Sequence, residues 1–597
     1  MSETSYQPSG HNDASLLMIA AVGVAAFLVG LDLYAALSLS LILTHGTGAL
    51  TGMPGIADGL GHLLHGLIFH TWQPWVGYPH LTPATTPNPR MFWTLAAVVA
   101  AVGGAPAGWL AMTIQGWTRP QPKARHSHGE ARWATRRDLR RAVDFRSPRG
   151  LAPNGIVLGW WGRQVVQSKP EDNVLLVGVG RSGKTSTVVI PTLVGWRGAV
   201  IATSTKSELV RLTGPHRARL GRVGVFAPLE SDHDWIRALD LEPVTWNPLT
   251  AITSAGTAAE LADVFTGDGK PGESAHWYLS AANLLAGIFL AESGRLRAKD
   301  GDGGDLRAVL SRLNHTRLED YPGLALSTDD PTAKELISAL AATPEREAGS
   351  IISTARSCLS LWNDERVSAA TTARGPQELD VRRLLADGGT LYLVAPVEEA
   401  ERCRPLFSAL LQSILRTATA RAQASRSGVL SPRLLLALDE VANFVRIPRL
   451  ASYVSTGPGQ GIQALLCFQD LAQLEGGYGQ TAARSVMNNC RCRVLMPGQG
   501  DLGTLEAFSR ALGHTTTIYE VPSWNPDGNR SWSEQRTGSL LAAPEVLREM
   551  DEPLLIAGAA KPARLHARGW WKVRPWRQAV ESTQGQPADD GSLRQAA

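Results

Sequence analysis

The stretch Val174-Leu-Leu-Val-Gly-Val-Gly-Arg-Ser-Gly-Lys-Thr185 decides the fold that this sequence predicts. Four apolar residues, as in a buried strand, run into the spacing Gly-x4-Gly-Lys-Thr of a phosphate-binding loop. Gly178 and Gly183 let backbone amides approach a polyphosphate closely, because no Cβ intervenes. Residues 186–193 can follow as a helix whose N-terminus faces the phosphates. The pattern therefore predicts a strand, a loop and a helix that bind a nucleoside triphosphate.

The whole loop is predicted to contact the nucleotide. Lys184 supplies positive charge to the phosphates, and the hydroxyl of Thr185 is a ligand for Mg²⁺. The expected ligands are therefore ATP and Mg²⁺. The predicted nucleotide-binding residues are Gly178, Val179, Gly180, Arg181, Ser182, Gly183, Lys184, Thr185 and Ser186.

A second apolar run, residues 434–438, ends in two adjacent carboxylates, Asp439 and Glu440. Such a run is typical of a parallel strand buried on both faces, and ligands of open α/β sheets bind at the C-terminal edge of these strands. We expect Asp439 to hold Mg²⁺, directly or through water, and Glu440 to orient and polarise the attacking water. A solvated acidic turn is the alternative interpretation. Together with Lys184, the acids predict hydrolysis as well as nucleotide binding.

Two long stretches without charge predict a membrane anchor near the N-terminus. Residues 16–43 contain one side chain that is charged at neutral pH, Asp32, and residues 91–114 contain none. Both are long enough to cross a bilayer, and the expected spans are about 16–38 and 91–114. If the first helix ends near Leu31, Asp32 lies at the outer interface. A buried role within the membrane is the alternative.

The charges around these spans predict their orientation. Residues 119–141 contain eight Lys or Arg against Glu130 and Asp138, whereas the loop 45–90 carries only Arg90. Positive residues favour the cytoplasmic side of a span. We therefore expect a multi-pass protein of the inner (plasma) membrane, with its loop outside and the bulk of the chain in the cytoplasm.

Composition excludes few classes of protein. The chain has 597 residues, 44% of them hydrophobic and 19% charged, which is ordinary for a folded protein of about three domains. A formal charge of +4 does not require nucleic acid, although a ring with a basic inner surface can bind it. Five cysteines without metal-site spacing predict reduced thiols, and Cys490 and Cys492 read as buried strand residues rather than a redox pair.

From about residue 170 the pattern alternates short apolar runs with helical stretches, which predicts a doubly wound parallel α/β sheet. Between residues 249 and 388 only helical patterns occur, which predicts an inserted all-α domain. The expected strands are 174–178, 198–202, 223–226, 390–395, 433–438, 463–468 and 493–496.

These patterns divide the chain into segments. The expected organisation is a cytoplasmic tail (1–15), a membrane anchor (16–118), a basic linker that leads into the core (119–170), a nucleotide-binding domain in two parts (171–249 and 388–577), an all-α domain (250–387) and a disordered tail (578–597).

Four further motifs, with the phosphate loop, resemble the membrane-anchored coupling ATPases of type IV secretion and conjugation, the TraG-like class. Each motif is weak singly, but the combination is specific and extends from the anchor nearly to the C-terminus. The motifs are Gly129-Glu-Ala-Arg-Trp-Ala-Thr135, Trp246-Asn-Pro-Leu249, Leu438-Asp-Glu-Val-Ala-Asn443 as an extended Walker B, and Gln469-Asp-Leu-Ala-Gln473 with Tyr478-Gly479.

The resemblance implies a RecA-like P-loop domain with an inserted all-α domain, assembly as a homo-hexamer, and an ATPase that serves a type IV secretion channel. The implied partners are channel components, the membrane, and a relaxase bound to single-stranded DNA or a secreted protein. The alternatives are an FtsK-like DNA translocase and a nonhydrolysing membrane adaptor for secreted proteins. Residues after 560 offer little sequence for the DNA reader of the former, and Glu440 and Gln469 argue against the latter.

Gln469 is the third predicted catalytic residue, beside Glu440 and Lys184. It follows the apolar run 464–468, where its amide could bond both the attacking water and the γ-phosphate. A polar residue that merely ends a strand is the alternative.

Two further features concern the surroundings of the site. A hexamer requires a positive side chain that reaches the neighbour's γ-phosphate, and the candidates nearest in sequence are Arg484, Arg491 and Arg493.

After the second strand the family often has Asp-x-Lys-Gly-Glu, whereas this chain has Ser204-Thr-Lys-Ser-Glu208. Lys206 and Glu208 are retained, either in a solvated turn or beside the nucleotide.

Overall fold

The computed structural model describes residues 11–50, 55–69, 72–76, 78, 81–82, 85–102, 129–267, 275–297, 304–372, 375, 377–524 and 530–582. The chain divides into two compact units, Met1–Arg125 and His126–Ala597.

The first unit is helical. It contains α1 (His11–His45), a short 3-10 helix (Thr47–Leu50), α2 (Ile56–Phe69) and α3 (Pro89–Val102). Among the described residues, one helix is long and apolar enough to cross a membrane, over Phe27–His45 within α1. The expected second span is not established. α3 is apolar but too short by itself, and residues 103–114 of that span lie outside the described residues.

The condition under which Asp32 was expected at the outer interface, a first helix that ends near Leu31, is not met. α1 continues to His45, so Asp32 lies within the helix, half-buried, rather than at its end. The turns after Asp32 bury apolar side chains in a small core with α2, α3 and the loop between them, and this packing extends the helix. That core includes Leu33, Ala36, Leu37, Leu41, Leu63, Trp75 and Phe92.

The second unit is built on a mixed sheet of ten strands in the order β15-β14-β11-β4-β10-β9-β5-β8-β6-β7. The strands from β11 to β7 in this order are parallel, and β14 and β15 add antiparallel strands at one edge. Their bounds are β4 (Val174–Val177), β5 (Ala199–Ser204), β6 (Val223–Phe226), β7 (Glu242–Pro243), β8 (Thr390–Val394), β9 (Leu434–Leu438), β10 (Ile462–Phe468), β11 (Cys492–Leu495), β14 (Leu554–Ala557) and β15 (Ala563–Arg564).

All seven strands that the sequence predicts are present, each within two residues of its expected bounds. The strands β4, β9 and β10 are buried at every position, and all their residues except Gln463 are apolar, as in parallel strands covered on both faces.

The helices of the second unit cover both faces of the sheet or pack on one another in the helical segment of residues 255–386. They are α4 (Arg136–Leu139), α5 (Ile190–Gly195), α6 (Glu208–Ala218), α7 (Asp234–Arg237), α8 (Ala255–Thr266), α9 (Ala275–Arg297), α10 (Leu306–His315), α11 (Tyr321–Leu326), α12 (Pro331–Ala341), α13 (Glu345–Cys358), α14 (Glu365–Thr371), α15 (Val381–Ala386), α16 (Val397–Ala424), α17 (Val441–Phe444), α18 (Leu450–Thr456), α19 (Leu471–Tyr478), α20 (Gln480–Asn489), α21 (Leu502–Leu512), α22 (Pro544–Glu549) and α23 (Arg574–Glu581). Shorter turns are 3-10 helices at Pro248–Ala251, Leu318–Asp320, Ser360–Asn363, Pro458–Gln460 and Trp570–Lys572, and a π-helix at Thr185–Val189.

Residues 255–386 contain only helices in the part that the structure describes, in the range where the sequence predicts an all-α domain. They share one apolar core with the sheet face that α16 covers. Within this core, the ring of Phe265 packs edge-on against Phe289 and Trp362, at centroid distances of 6.0 and 5.1 Å. The helical segment is thus continuous with the sheet core rather than separate from it.

The structure adds strands that the sequence did not predict. The expected basic linker contains a three-stranded antiparallel sheet of β1 (Asp144–Arg146), β2 (Val157–Trp161) and β3 (Gln164–Gln167). A two-stranded ribbon, β12 (His514–Trp524) and β13 (Arg530–Leu540), lies beyond α21. These strands are short or largely polar, so they lack the apolar runs that mark the parallel strands.

The predicted start of the disordered tail, residue 578, is wrong because it falls inside a helix. α23 continues to Glu581, because Trp576 and Val580, one turn apart, are buried against the second core of the unit. This core lies on the other sheet face, beneath α5, α6 and the three-stranded sheet. Residues 583–597 lie outside the described residues.

Candidate nucleotide-binding site

Strand order brings the predicted site residues to one edge of the sheet. β10 pairs in parallel with β4 on one side and with β9 on the other. The loop after β4, the acids after β9 and Gln469 after β10 therefore leave the sheet at its C-terminal edge. In open α/β sheets this edge is where ligands bind.

The loop from Gly178 to Thr185 has the backbone of a phosphate cradle. Gly183 has φ +86° and Arg181 has φ 62°, a left-handed conformation that glycine adopts without strain. A Cβ on Gly178 would lie 2.6 Å from Cβ of Met496, so only glycine fits there. Lys184 Nζ donates hydrogen bonds to the carbonyls of Gly178, at 2.5 Å, and Val179, at 2.9 Å.

Thr185 and Asp439, the two residues predicted from the sequence to bind Mg²⁺, are in direct contact. Thr185 Oγ1 donates a hydrogen bond to Asp439 Oδ2 at 2.6 Å, and Thr203 Oγ1 of β5 donates to the Asp439 carbonyl at 2.8 Å. Asp439 is only 9% exposed, and burial raises the pKa of its carboxyl, although the Thr185 bond opposes this. Thr203 was not predicted from the sequence, because no local pattern marks it as a neighbour of the end of β9.

The donor set fits Mg²⁺. Asp439 Oδ1 is buried and has no hydrogen-bond partner among the described residues, and a buried oxygen in this position is an available ligand. No group of three or more His, Cys, Asp or Glu capable of binding a metal occurs in the described part of the chain. Mg²⁺ needs no such group, because it usually takes one or two protein oxygens together with waters and phosphate oxygens.

Glu440 follows Asp439 in an uncommon backbone conformation. Its φ is 55° and its ψ 50°, a left-handed geometry that is rare outside glycine and that often occurs at functional sites. Its side chain is half-buried, and Asn443 Nδ2 lies 3.5 Å from Oε2. Most of this carboxylate's hydrogen-bonding capacity is therefore available to a water molecule.

One cavity of about 150 Å³ is lined by residues of the phosphate loop together with Asp439 and Glu440. Gly178 and Val179, predicted to bind nucleotide, do not line it, since their carbonyls face Lys184. Lys206 and Glu208 line it and so lie beside the nucleotide-binding loop rather than in a remote turn. The lining residues are Gly180, Arg181, Ser182, Gly183, Lys184, Thr185, Ser186, Ile190, Ser204, Thr205, Lys206, Glu208, Leu209, Asp439 and Glu440.

Gln469 lies at the same edge but does not line this cavity. Its backbone amide donates to Gln473 Oε1 at 3.0 Å, and its carbonyl accepts from Gln499 Nε2 at 2.8 Å. Its own side-chain amide is half-buried and makes no hydrogen bond to any described residue. Gln499, which is 2% exposed, holds the backbone of Gln469 and was not predicted from the sequence.

The three arginine candidates differ in accessibility. Arg484 is exposed on α20 and makes no side-chain hydrogen bond or ion pair within the described residues. Arg491 lies 3.4 Å from Asp172, and Arg493 is half-buried in β11, where burial lowers the pKa of its guanidinium. Arg491 and Arg493 are at the start of β11, on the sheet edge opposite the phosphate loop.

Two other residues of the sequence motifs, Asn247 and Tyr478, make hydrogen bonds within the fold. The side chain of Asn247 accepts from Leu249 N and donates to the Gly304 carbonyl, which ties the start of the helical segment together. The hydroxyl of Tyr478 accepts from Ile447 N at 3.1 Å, and burial raises its pKa to about 12.

Comparison with known proteins finds a matching family model and several similar proteins. Residues 131–592 match the family model described as type IV secretory system conjugative DNA transfer. A conjugal transfer protein TraG of Escherichia coli is 27% identical over 477 residues, which cover 72% of this chain and 70% of that protein. A protein VirD4 of Rhizobium rhizogenes is 26% identical over 488 residues, with 79% and 69% covered.

Among solved structures, plasmid coupling protein TrwB in complex with ADP and Mg²⁺ is similar, with a TM-score of 0.53 and 17% identity. The similarity covers 73% of this chain and 93% of that one. At this identity the likeness shows that the fold is shared.

Proposed function

The chain belongs to the type IV secretory system conjugative DNA transfer family and is a coupling protein of such a system, and we propose that ATP hydrolysis between its phosphate loop and Asp439-Glu440 drives its work. The observation that carries the proposal is the bond from Thr185 to Asp439, because it joins the two halves of a Mg²⁺·nucleotide site. The solved structure of TrwB with ADP and Mg²⁺ supports the choice of ligands.

Each residue contributes a distinct step to the proposed reaction. The amides of Gly180 to Ser186 and the ammonium of Lys184 bind the phosphates, and Lys184 exchanges its two carbonyl partners for phosphate oxygens. Thr185 and Asp439 would hold Mg²⁺, which when bound neutralises charge on the phosphates. Glu440 orients the water and takes its proton as it attacks.

We further propose a RecA-like ring of six copies in which the exposed Arg484 is the side chain that reaches the neighbour's nucleotide. Its lack of a partner among the described residues favours it over the ion-paired Arg491 and the half-buried Arg493. The substrate would be a relaxase-bound single DNA strand or a secreted protein, passed to the channel components. Family membership favours this function over an FtsK-like translocase.

The test of hydrolysis uses the purified full chain and measures phosphate release from ATP. Lys184→Ala and Glu440→Gln should each lower the rate about a hundredfold or more. The matched controls Lys334→Ala and Glu545→Gln, which lie outside the cavity, should retain it. Nucleotide binding without phosphate release by the wild-type chain would instead support the nonhydrolysing adaptor.

We also propose that residues 91–114 form a second span, so that the bulk of the chain and its nucleotide site lie in the cytoplasm. All native cysteines lie in the second unit. In a Cys358→Ser background, with an impermeant thiol reagent on intact cells, Ala57→Cys should be labelled and Glu545→Cys should be labelled only after lysis. Labelling of Glu545→Cys in intact cells would place the second unit outside and disprove the second span.

A further inference from the structure

The turn between β5 and α6, residues 204–208, lies beside the two acids of the nucleotide-binding site. We call it the β5 turn. β5 pairs in parallel with β9, with Thr203 opposite Leu438, so the two strands end side by side at the C-terminal edge of the sheet. Asp439 and Glu440 directly follow Leu438. In the strand order β4-β10-β9-β5, these acids therefore lie between the phosphate loop and the β5 turn.

Hydrogen bonds fix the backbone of Lys206 within the β5 turn. The hydroxyl of Ser204, which is 8% exposed, donates to the Lys206 carbonyl at 2.6 Å and accepts from Lys206 N at 3.3 Å. The next residue, Ser207, precedes α6, and its carbonyl accepts from Arg211 N at 2.9 Å. Lys206 therefore leaves the fold at a defined point, although its side chain is exposed.

The side chain of Lys206 has no structural role that the fold explains. It makes no hydrogen bond or ion pair to any described residue, whereas Lys184 Nζ donates to two carbonyls. Lys206 also precedes the N-terminus of α6, where the helix dipole disfavours positive charge. The same dipole favours Glu208, the first residue of that helix. A bound anion is what would stabilise a cation at this position.

Lys206 lines the same cavity as the phosphate loop and the two acids. Among the described residues that line this cavity, the other cations are Arg181 and Lys184, and both belong to the phosphate loop. A triphosphate bound to the loop, with Mg²⁺ at Asp439, directs its terminal phosphate toward the acids and hence toward the β5 turn. Glu440 and that phosphate are both negative, and a nearby ammonium offsets their repulsion.

We propose that Lys206 is a further catalytic residue whose ammonium donates a hydrogen bond to the γ-phosphate of ATP bound to the same chain. This inference rests on the proposed function. The oxygen of the attacking water bonds to the γ-phosphorus, and the bond from that phosphorus to the β,γ-bridging oxygen breaks. ADP leaves with the electron pair of the broken bond, and the proton of the water passes to Glu440. Lys206 stays protonated and stabilises the charge on the γ-phosphate oxygens.

The proposed contact makes a prediction about nucleotide preference. ADP has no γ-phosphate, so Lys206 should strengthen the binding of ATP and not the binding of ADP. Lys184 differs, because the lysine of a phosphate loop reaches both the β- and the γ-phosphate. The difference in affinity between the two nucleotides therefore reports on Lys206 separately from the rest of the site.

The test is equilibrium binding of the full chain, in an uncharged detergent, to ADP and to the nonhydrolysable β,γ-imido analogue of ATP, each with Mg²⁺. Lys206→Met keeps the length of the side chain and removes its charge. It should weaken analogue binding about tenfold or more and change ADP binding by less than about twofold. Lys206→Arg, which keeps the charge, should retain the preference for the analogue. The matched control Lys572→Met, at an exposed position outside the cavity, should bind both nucleotides as the wild type does.

Phosphate release from saturating ATP gives a second readout. Lys206→Met should lower kcat about tenfold or more, because charge on the γ-phosphate is no longer stabilised in the transition state. Equal weakening of ADP and analogue binding in this variant would overturn the γ-phosphate contact. Weaker analogue binding with an unchanged kcat would overturn the catalytic role.

Failure of this inference is distinguishable from failure of the proposed function. Glu440→Gln should keep the wild-type preference for the analogue over ADP while it fails to release phosphate, because binding does not require proton transfer from water. If the wild type hydrolyses ATP and Lys206→Met matches it in binding and rate, only the role of Lys206 is refuted. If the wild type binds the analogue but never releases phosphate from ATP, the proposed hydrolysis is refuted, and with it any catalytic role for Lys206.

Discussion

Thr185 and Asp439, which lie 254 positions apart in the chain, share a hydrogen bond of 2.6 Å at the C-terminal edge of the sheet. The hydroxyl belongs to the phosphate loop and the carboxylate to the end of a strand two places away in the sheet. On the proposed function, this contact marks where Mg²⁺ and the terminal phosphates bind, and it supports predictions about metal, pH and hydrolysis.

Thr185→Ala should raise the Mg²⁺ concentration needed for half-maximal phosphate release about tenfold or more, because a hydroxyl ligand is lost. Thr185→Ser, which keeps the hydroxyl, should restore the requirement of the wild type. The measurement is phosphate release over a Mg²⁺ titration. An unchanged Mg²⁺ requirement in Thr185→Ala would show that the metal lies elsewhere.

Binding of Mg²⁺·nucleotide should weaken as pH falls through the raised pKa of Asp439, which lies above the ordinary 3.8. Without metal, folding favours the protonated acid, so its contribution to stability is full below 3.8 and is lost as pH rises through the raised value. The metal needs the deprotonated form. Affinity titrations at successively lower pH, starting from neutral pH, should show this dependence, and Asp439→Asn should lack it.

If Gln469 acts as the predicted catalytic residue, Gln469→Ala should lower the rate of hydrolysis about tenfold to a hundredfold and leave nucleotide affinity unchanged, because the predicted role of its side-chain amide is to contact the attacking water and the γ-phosphate. Gln535→Ala, at an exposed position of the β-ribbon, is the matched control. Single-turnover kinetics separate the chemical step from binding. A change in affinity alone would reassign Gln469 to nucleotide binding.

Arg217→Ala should destabilise the second unit by about 3 kcal/mol or more. This guanidinium is 1% exposed and donates to the carbonyls of Trp196 at 2.6 Å and Gly198 at 2.7 Å and to Thr390 Oγ1 at 2.8 Å, all of which would lose a buried partner. Arg219→Ala, which removes surface bonds to Ser582, should change stability far less. Urea unfolding followed by circular dichroism compares the two, and equal midpoints would contradict the prediction.

Only Cys358 should react with a thiol reagent in the native chain, because it is half-buried whereas the other four cysteines are buried. Burial raises the pKa of Cys403 and Cys490 to about 12 and also raises that of Cys467 and Cys492, so their thiolate forms are scarce. Mass spectrometry of the labelled chain identifies the site. Labelling of Cys490 or Cys492 before unfolding would revive a redox role for that pair.

Local patterns explain which parts of the fold the sequence could predict. The apolar runs that became β4, β9 and β10 are continuous, and each is followed by residues whose chemistry marks a strand end. The ribbon of β12 and β13 offered no such run, because Thr, Ser and charged residues are spread through it. In β2 a glycine interrupts the apolar residues, and the short apolar run of β14 was not predicted although it is continuous. In α1, the turns after Asp32 pack their apolar side chains in a small core with α2 and α3, a contact that no local pattern records.

The sequence by itself determined the chemistry of the site: a glycine loop with Lys184, and a carboxylate pair after an apolar strand, are local signals that need no partner to be recognised. Only the tertiary structure decided that β10 lies between β4 and β9, that Thr203 and Gln499 support Asp439 and Gln469, and that Lys206 and Glu208 line the cavity. The physical reason is that side chains so far apart in the chain meet through strand order and packing, which no local pattern records.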